Sequence, residues 1–161
     1  MSFVESADRD SARRRRQTTA AIKESMRDLR QQLARLQHGV GTRLELRDAD
    51  LDCLDLIARH GPIGPSALAR LAGVHPATLT GILDRLERGG WIARDRDPAD
   101  RRAVIVHIRR DRAAEILRQY AGMNAALDRI CAGYDAAQLD TLADFLRRAT
   151  DAGRTATDAL T

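Results

Sequence analysis

The sequence predicts a mainly α-helical chain with one small β-hairpin. Apolar residues recur at helical spacing in two long stretches, residues 22–40 and 116–134, one on each side of the middle of the chain. Between them, at residues 104–108, the apolar period shortens to two, which is typical of a β-strand. We therefore expect two long helical segments around a smaller mixed region.

The composition is that of a folded protein with a basic excess in its first part. The 161 residues suffice for roughly one compact domain, with 43% hydrophobic and 31% charged residues. The net charge of +4 comes from residues 1–47, which carry 11 basic and 6 acidic residues, against 8 and 9 in residues 48–108 and 8 and 8 in residues 109–161. All basic residues except Lys23 are arginine, which suits phosphates and base edges. No apolar run could span a bilayer, and we expect a cytoplasmic protein without membrane contact.

The residues that usually carry chemistry form no recognisable site. Cys53 and Cys131 have neither metal-ligand spacing nor the pattern of a disulfide framework, and we expect both to be buried thiols. The four histidines are scattered, and there is no glycine-rich phosphate loop, nucleophile elbow or triad. We therefore predict no metal, no cofactor and no catalytic residue, and an enzyme is the less favoured alternative.

The first part of the chain predicts a charged lead followed by a long helix. Residues 1–17 should form a flexible basic N-terminal lead, whose arginine run at residues 13–16 is a solvated tail, a helix start or an arm that touches nucleic acid. From residue 18 a helix with a heptad stripe should follow and end at Gly39 and Gly41. The stripe consists of Ile22, Met26, Leu29, Leu33, Leu36 and Val40.

Three shorter helices should follow. Asp48 is a suitable cap for the first, which the glycine and proline in residues 60–62 stop. A second has Pro65 in its first turn, and a tight turn at Gly73 separates it from a third that Pro76 opens. The buried face of the third consists of Leu79, Ile82, Leu83 and Leu86.

A hairpin and two more helices complete the predicted order. Residues 91–94 and 104–108 are the expected strands, joined by a polar tip. Heptad spacing returns in residues 116–134, and Asp135 with Gln138 has capping-box spacing for a last helix. The buried face expected for that helix consists of Leu139, Leu142, Leu146 and Ala149.

The short helix, tight turn, second helix and adjacent hairpin together predict a winged helix-turn-helix at residues 48–108. One copy of such a region has no obvious use for two long apolar helices. We therefore interpret residues 18–47 and 109–153 as a helical dimerisation region; packing within one chain is the alternative. Residues 154–161 are expected to form a frayed tail.

The helix after the tight turn fits the width of a DNA major groove. Its N-terminal and outward residues are therefore candidates for contacts with base edges, and nearby arginines are candidates for phosphates. The candidate major-groove residues are Pro76, Ala77, Thr78, Thr80, Gly81 and Arg85, and the candidate backbone residues are Arg70 and Arg88. The alternative is an amphipathic helix pair in a small bundle.

The hairpin tip strengthens the prediction of double-stranded DNA as the partner. Arg101 and Arg102 stand where a wing can reach the adjacent minor groove, whose negative potential attracts arginine. Asp100 lies two positions before Arg102, so we expect its carboxylate to brace the guanidinium. The alternative is a set of ordinary surface ion pairs.

Residues 73–102 read GVHPATLTGILDRLERGGWIARDRDPADRR and resemble the recognition helix and wing of the MarR family of transcriptional regulators. The resemblance extends in less detail over about residues 20–150. It implies a homodimer, formed by the first and last helices, that binds a pseudo-palindromic operator. It also implies Arg102 as the minor-groove residue, Asp100 as its brace and residues 76–85 as the major-groove reader. Gly81 departs from the family, many members of which have a larger polar or basic residue there.

The same resemblance implies a repressor that responds to a small molecule. Many members of the family release DNA when an aromatic or phenolic compound, or an oxidant, enters between the dimerisation region and the winged helix-turn-helix. The candidate pocket residues, chosen by position alone, are His38, Cys53, His60, Trp91 and Tyr120. Peroxide-sensing members use a cysteine near the first helix, and residues 1–47 contain none. A winged-helix module that binds protein instead of DNA is the other alternative.

Overall fold

The computed structural model describes the backbone of residues 2–160 and the side chains of residues 8–160. Over this range the elements are α1 (Ser2–Leu44), α2 (Asp48–His60), α3 (Pro65–Ala72), α4 (Pro76–Arg88), β1 (Ile92–Arg96), β2 (Val104–Ile108), α5 (Arg110–Cys131) and α6 (Ala136–Asp158). The predicted mainly α-helical chain with one small hairpin is confirmed. The chain divides into two compact units, one that ends at Ala113 and one that begins at Ala114, here the first and the second unit.

Helix α1 is longer at both ends than the sequence predicts. Residues 2–17 belong to it, so the expected flexible lead is wrong for these residues, while Met1 lies outside the described range. Gly39 and Gly41 lie inside the helix, because a helical glycine costs only about 1 kcal/mol. The helix ends at Glu45, which adopts the left-handed conformation, and the N–H of Leu46 closes the turn on the carbonyl oxygen of Gly41 at 2.8 Å.

The core of the first unit lies among α2, α3, α4 and the hairpin. The apolar face predicted for α4 is buried, as expected from its spacing. Strand β2 is joined to the loop before α3, since the backbone groups of Ile63 and Val106 exchange hydrogen bonds of 3.1 and 2.9 Å. The largest fully buried apolar side chains are Leu54, Ile57, Leu68, Leu79, Leu83, Leu86 and Val106. Helix α4 and the hairpin therefore pack on the same core.

The start of α2 differs by one residue from the prediction. Arg47 is the N-cap residue, and Asp48 lies in the first turn, so the cap predicted at Asp48 is wrong. The carboxylate of Asp50 accepts a hydrogen bond of 3.0 Å from the backbone N–H of Arg47. Asp50, three residues beyond the N-cap, thus supplies a hydrogen-bond acceptor for the N-cap backbone N–H, as in a capping box.

The second unit contains most of α5 and all of α6. The capping box predicted at its last helix is confirmed, because Asp135 and Gln138 exchange hydrogen bonds of 2.8 and 2.9 Å. Helix α6 continues to Asp158, so the tail expected to fray from residue 154 is helical there; Thr161 lies outside the described range. The expected buried face of α6 is wrong for a single chain, since neither α5 nor α6 contains a buried residue. Two helices alone cannot surround an apolar face.

Candidate nucleic-acid interface

The helix-turn-helix consists of α3, α4 and the three residues between them. Gly73 ends α3 in the left-handed conformation at φ 64°, which favours glycine. Pro76 occupies the first turn of α4, where a missing N–H breaks no helical hydrogen bond. Nδ1 of His75 accepts a hydrogen bond of 3.2 Å from the N–H of Ala77 and caps that turn. The turn thus fixes which residues stand at the free end of α4.

Five of the six predicted major-groove residues are exposed, at the N-terminal end of α4, on its flanks or opposite its buried side chains. These are Pro76, Ala77, Thr78, Thr80 and Gly81. Oγ1 of Thr80 donates to the carbonyl oxygen of Pro76 at 3.0 Å, which leaves the hydroxyl oxygen available as an acceptor. Small side chains and the hydroxyl groups of Thr78 and Thr80 therefore stand together at the start of α4.

Gly81 has open space around it. Apart from its chain neighbours and the backbone of α4 itself, no heavy atom lies within 4 Å of the position that a Cβ would take. Packing within the chain therefore gives no reason for glycine here, although glycine costs about 1 kcal/mol relative to alanine inside a helix. A close approach of the α4 backbone to another molecule would give such a reason.

Arg85, the sixth predicted major-groove residue, turns toward α2 and pairs with a buried carboxylate. Its Nε lies 3.1 and 3.0 Å from the two carboxylate oxygens of Asp50, and its Nη2 lies 2.5 Å from one of them. Asp50 is 0% exposed, and hydrogen bonding to it raises the pKa of Arg85. A guanidinium held bidentately ties α4 to the first turn of α2 and is not free to read a base. We therefore remove Arg85 from the candidate major-groove residues.

The two residues predicted to contact the DNA backbone are exposed at the ends of their helices. Arg70 lies in the last turn of α3 and Arg88 in the last turn of α4. Nε of Arg88 donates to the carbonyl oxygen of Asp84 at 3.1 Å. Within the part of the chain that the structure describes, neither guanidinium pairs with a carboxylate, so both can reach a phosphate.

The wing is the antiparallel β1–β2 hairpin, in which Arg96 lies opposite Val104. Its tip is closed by two backbone hydrogen bonds, from Asp97 to the carbonyl of Ala103 at 3.0 Å and from Ala103 to the carbonyl of Asp100 at 2.8 Å. Both predicted wing arginines, at positions 101 and 102, are exposed at this tip. The tip thus fixes their backbone and leaves their side chains in solvent.

Asp100 braces Arg102 through the backbone and not through the guanidinium. Its Oδ1 accepts a hydrogen bond of 3.0 Å from the backbone N–H of Arg102. A carboxylate on so short a side chain reaches the N–H two residues ahead and forms an Asx turn. Over the described residues no ion pair joins the two side chains, so the predicted carboxylate–guanidinium brace is wrong.

Arg94 is a structural link that the sequence pattern does not reveal. Its Nη2 lies 2.6 Å from Oδ1 of Asp84, and its Nη1 lies 3.4 Å from Oε2 of Glu87. Arg94 stands on β1 and both carboxylates on α4, so the pair joins the wing to the exposed helix. No sequence signal marks the contact, because only the turn at Gly89 and Gly90 brings the two elements together.

The two cysteines differ in their surroundings. Cys53 is buried, as predicted, whereas Cys131 is exposed, against the prediction, on a helix without buried residues. Burial raises the pKa of the Cys53 thiol to about 11, and the charges of Asp50 and Asp52 add to the effect. The Cys53 thiol therefore stays protonated at neutral pH. It lines a shallow depression of about 300 Å³ that contains none of the other predicted pocket residues.

The remaining predicted pocket residues have separate surroundings. Trp91 is buried, and the guanidinium of Arg112 lies 4.6 Å from its ring centroid. His38 lies 3.5 Å from a carboxylate of α2, and His60 is exposed at the end of that helix. Tyr120 belongs to the second unit. The structure therefore gives no common cavity to the candidates of the first unit.

Metal-binding clusters and membrane spans are both absent from the described residues. No group of three His, Cys, Asp or Glu side chains is arranged to hold a metal ion within this range. In the same range, no helix combines the length and the apolar character needed to cross a membrane.

Comparison with family models matches residues 46–104 to the MarR family. The chain is 28% identical to the uncharacterized HTH-type transcriptional regulator YcgE of Bacillus subtilis (strain 168) over 108 residues, which are 67% of this chain and 70% of that protein. It is 33% identical to the uncharacterized HTH-type transcriptional regulator YfiV of the same strain over 66 residues, 41% of each chain.

Solved structures match over a longer range. The transcriptional regulator Tm0710 from Thermotoga maritima is 25% identical, with a TM-score of 0.60 over 84% of this chain and 96% of that one. The apo form of wild-type MarR from E. coli is 26% identical, with a TM-score of 0.57 over 77% and 92% of the two chains. The likeness thus extends beyond the winged region.

Proposed function

This chain belongs to the MarR family of transcriptional regulators, and we propose that it represses transcription by binding an operator in double-stranded DNA as a homodimer. The observation that carries the proposal is the exposed face of α4 beside a wing with two exposed arginines. Arg94 ties the wing to α4 through Asp84 at 2.6 Å, so the two surfaces keep one relative position. A helix and a wing held in this way can contact the major groove and the adjacent minor groove together.

The proposed contacts divide between the two grooves and the phosphates. Pro76, Ala77, Thr78, Thr80 and Gly81 approach base edges from the start of α4, where small side chains let the backbone come close. Arg102, with Arg101 beside it, enters the minor groove, and the Asx turn at Asp100 fixes the backbone from which Arg102 extends. Arg70 and Arg88 bind phosphates, which add affinity without sequence preference.

The proposed dimer accounts for apolar residues that one chain leaves in solvent. Leu29 and Leu33 on α1 are 47% and 44% exposed, and Leu127 and Ile130 on α5 are 43% and 57% exposed. Apolar stripes on long helices favour association, since each buried side chain of this size contributes about 1.5–3 kcal/mol. A two-fold dimer would present two α4 helices roughly 34 Å apart, one turn of DNA, and would read a pseudo-palindrome. A regulator of this kind acts in the cytoplasm, where the bacterial chromosome lies.

The proposed response to a small molecule is a shift between two dimer arrangements. A ligand that favours the wrong separation of the two α4 helices would lower the affinity for the operator. Aromatic and phenolic acids are the first compounds to test, by their effect on the dissociation of a labelled operator. A panel without any effect would remove ligand response from the proposal and leave DNA binding in place.

Salt-dependent binding tests the proposal most simply. Genomic fragments retained by the purified protein give the operator, and fluorescence anisotropy then gives the dissociation constant between about 50 and 200 mM salt. We expect Arg102→Ala to weaken binding to all duplexes alike and to lower the salt slope by about 1 for each phosphate that is no longer neutralised. Arg59→Ala is the matched control, because Arg59 is an exposed arginine at the end of α2 that pairs with Asp55 at 2.8 Å. Equal behaviour of the two variants, or no retained fragment, would contradict the proposal.

A further inference from the structure

The four consecutive arginines at residues 13–16, here the arginine cluster, have no part in the proposed function. They lie within α1 and are all exposed. Consecutive helical residues are about 100° apart, so four of them point to all sides of the helix. No packing of α1 on one neighbouring surface could therefore bury the whole cluster. Over the described side chains, no carboxylate forms an ion pair with any of the four.

The positive charge of the cluster exceeds the negative charge near it in sequence. Residues 11–23 contain Lys23 and the four arginines and no acidic residue; the nearest acids in sequence are Asp10 and Glu24. Exposed arginines elsewhere do have partners, for example Arg59 with Asp55 at 2.8 Å and Arg154 with Asp151 at 2.9 Å. The cluster is therefore a concentrated positive potential that a bound anion would relieve.

The sequence around the cluster does not fit a protein interface. Residues 8–19 contain no side chain more apolar than alanine, and the heptad stripe of α1 begins only at Ile22. Two copies of this segment placed against each other would bring like charges together, which opposes self-association through the cluster. A polyanion with regularly spaced charges is the partner that matches such a surface.

The cluster lies far along α1 from the junction with α2. At that junction, Nε2 of Gln37 donates to Oδ1 of Asp52 at 2.7 Å. Arg16 precedes Gln37 by 21 positions, which is about 30 Å of helix. Phosphates that contact the cluster therefore add to those beneath α4 and the wing.

We propose that the arginine cluster is a second, sequence-independent site for the phosphodiester backbone of duplex DNA. The choice of DNA among polyanions rests on the proposed function, since a protein at its operator is surrounded by duplex. Arginine binds phosphate with two parallel hydrogen bonds, and about two of the four arginines can face one duplex at a time, since successive residues are about 100° apart. The backbone comes either from the flanks of the operator or from a second duplex.

The test uses the full chain with Arg13, Arg14, Arg15 and Arg16 all changed to glutamine, which keeps the helical propensity high. The matched variant changes the same four residues to lysine and keeps the charge. Arg147→Gln with Arg148→Gln is the control for loss of exposed charge elsewhere, since both arginines pair with Asp144. The probe is an unrelated duplex of about 40 bp, long enough to extend past one operator-sized site. Anisotropy at several salt concentrations measures binding, with circular dichroism as the check on helix content.

We expect the glutamine variant to bind the unrelated duplex about tenfold more weakly and with a salt slope lower by about 2, since about two of the four arginines can face one duplex and each neutralised phosphate contributes about 0.9 to the slope. The lysine variant keeps the charge, on which most of the sequence-independent affinity depends, and should stay within about threefold of the wild type although it loses the bidentate hydrogen bonds. Unchanged affinity and slope in the glutamine variant would overturn the proposal. So would a lysine variant as weak as the glutamine variant, or cluster-dependent binding to vesicles of anionic lipid without any to duplex.

Two arms distinguish the sources of the backbone. If the flanks supply it, the glutamine variant loses affinity for an operator with about 20 bp added on each side, roughly two turns of DNA, and not for the operator alone. If a second duplex supplies it, wild type saturated with operator captures a labelled unrelated duplex and the glutamine variant does not. Either result supports the proposal, and failure of both overturns it. If binding depends on the cluster but no genomic fragment is preferred, the proposed operator binding is wrong, whereas the assignment of the cluster as a DNA-backbone site stands.

Discussion

The two units of the chain bury their leucines to very different degrees. In the first unit Leu54 and Leu86 are 1% and 0% exposed, inside a core that four elements share. In the second unit Leu146 is 54% exposed, and neither α5 nor α6 has a buried residue. The same residue type at the same helical spacing is thus core in α2 and α4 and surface in α6, as it is at Leu29 and Leu33 of α1. The first unit has a core of its own among α2, α3, α4 and the hairpin, whereas α5 and α6 have no buried residue and would gain one only in the proposed dimer.

The charged residues show the same contrast. Arg85 in the first unit pairs with a carboxylate that is 0% exposed, and the contact joins two helices. Arg154 in the second unit pairs with Asp151 on the same exposed helix. Buried pairs are costly to break, whereas exposed pairs contribute little. Substitutions should therefore act on folding in the first unit and on association in the second.

Loss of the buried ion pair should have the largest effect. Arg85→Met leaves the carboxylate of Asp50 buried without its partner, and we expect the free energy of unfolding to fall by about 3–5 kcal/mol. Urea denaturation followed by circular dichroism measures it. Arg154→Met, which breaks an exposed pair of 2.9 Å, is the control and should cause no measurable change. Equal effects would contradict the contrast between the units.

Truncation of a core leucine should rank next. Leu86→Ala removes a side chain that is 0% exposed and should lower the free energy of unfolding by about 2–5 kcal/mol at any protein concentration. Leu146→Ala should destabilise only in proportion to the dimer present, if another chain covers Leu146 as the proposed dimer requires. Melting curves over a wide range of protein concentration separate the two. A concentration-independent effect at Leu146 would mean that the dimer does not bury it.

A charge on the apolar surface of α5 should weaken association without unfolding the first unit. Ile130 is 57% exposed, and Ile130→Glu would place a carboxylate in the proposed dimer interface. We expect the dimer dissociation constant in sedimentation equilibrium to rise about tenfold or more. Leu160→Glu, at a residue that is 88% exposed near the chain end, should leave it unchanged. An unaltered dimer in the Ile130 variant would exclude this face of α5.

The cysteines give the mildest contrast, and it depends on pH. The pKa of Cys53 is raised to about 11 from 9.0, so its thiolate fraction at pH 8, and with it the alkylation rate, should be about a hundredfold lower than for an ordinary thiol. Exposed Cys131 should label first, as peptide mapping after iodoacetamide would show. A raised pKa also means that the contribution of Cys53 to stability is complete below pH 9 and is lost as the pH rises through 11. If the Cys53→Ala variant also loses stability between pH 9 and 11, ionisation of Cys53 is not the cause of the loss.

The sequence predicted elements better than pairings. Local signals located α3, α4, the hairpin and the capping box at Asp135, because each depends on residues a few positions apart. The sequence misplaces the end of α1, because Gly39 and Gly41 are typical of a helix end. The left-handed turn that closes the helix lies instead at Glu45, a residue type that gives no such signal. The links from Asp50 to Arg85 and from Arg94 to Asp84 were missed for another reason. They span 35 and 10 positions and depend on how the helices pack, which no local pattern encodes.

Within the site, the outward face of α4 followed from helical rotation alone, whereas the environment of single side chains did not. Arg85 was predicted on the reading surface and lies against α2, because a long side chain can turn back to a buried carboxylate. The carboxylate of Asp100 was expected at a guanidinium and binds a backbone N–H instead. The pocket residues shared only a position in the sequence, which says nothing about a common cavity.

Hydroxyl-radical footprinting of a retained genomic fragment tests the central claim most directly. Two copies of α4 and its wing on one duplex predict two protected half-sites, related by two-fold symmetry and about 10 bp apart from centre to centre. The Arg102→Ala variant should lose the protection at the outer minor-groove positions first. A single protected half-site, or no protection of any duplex at low salt, would contradict the account.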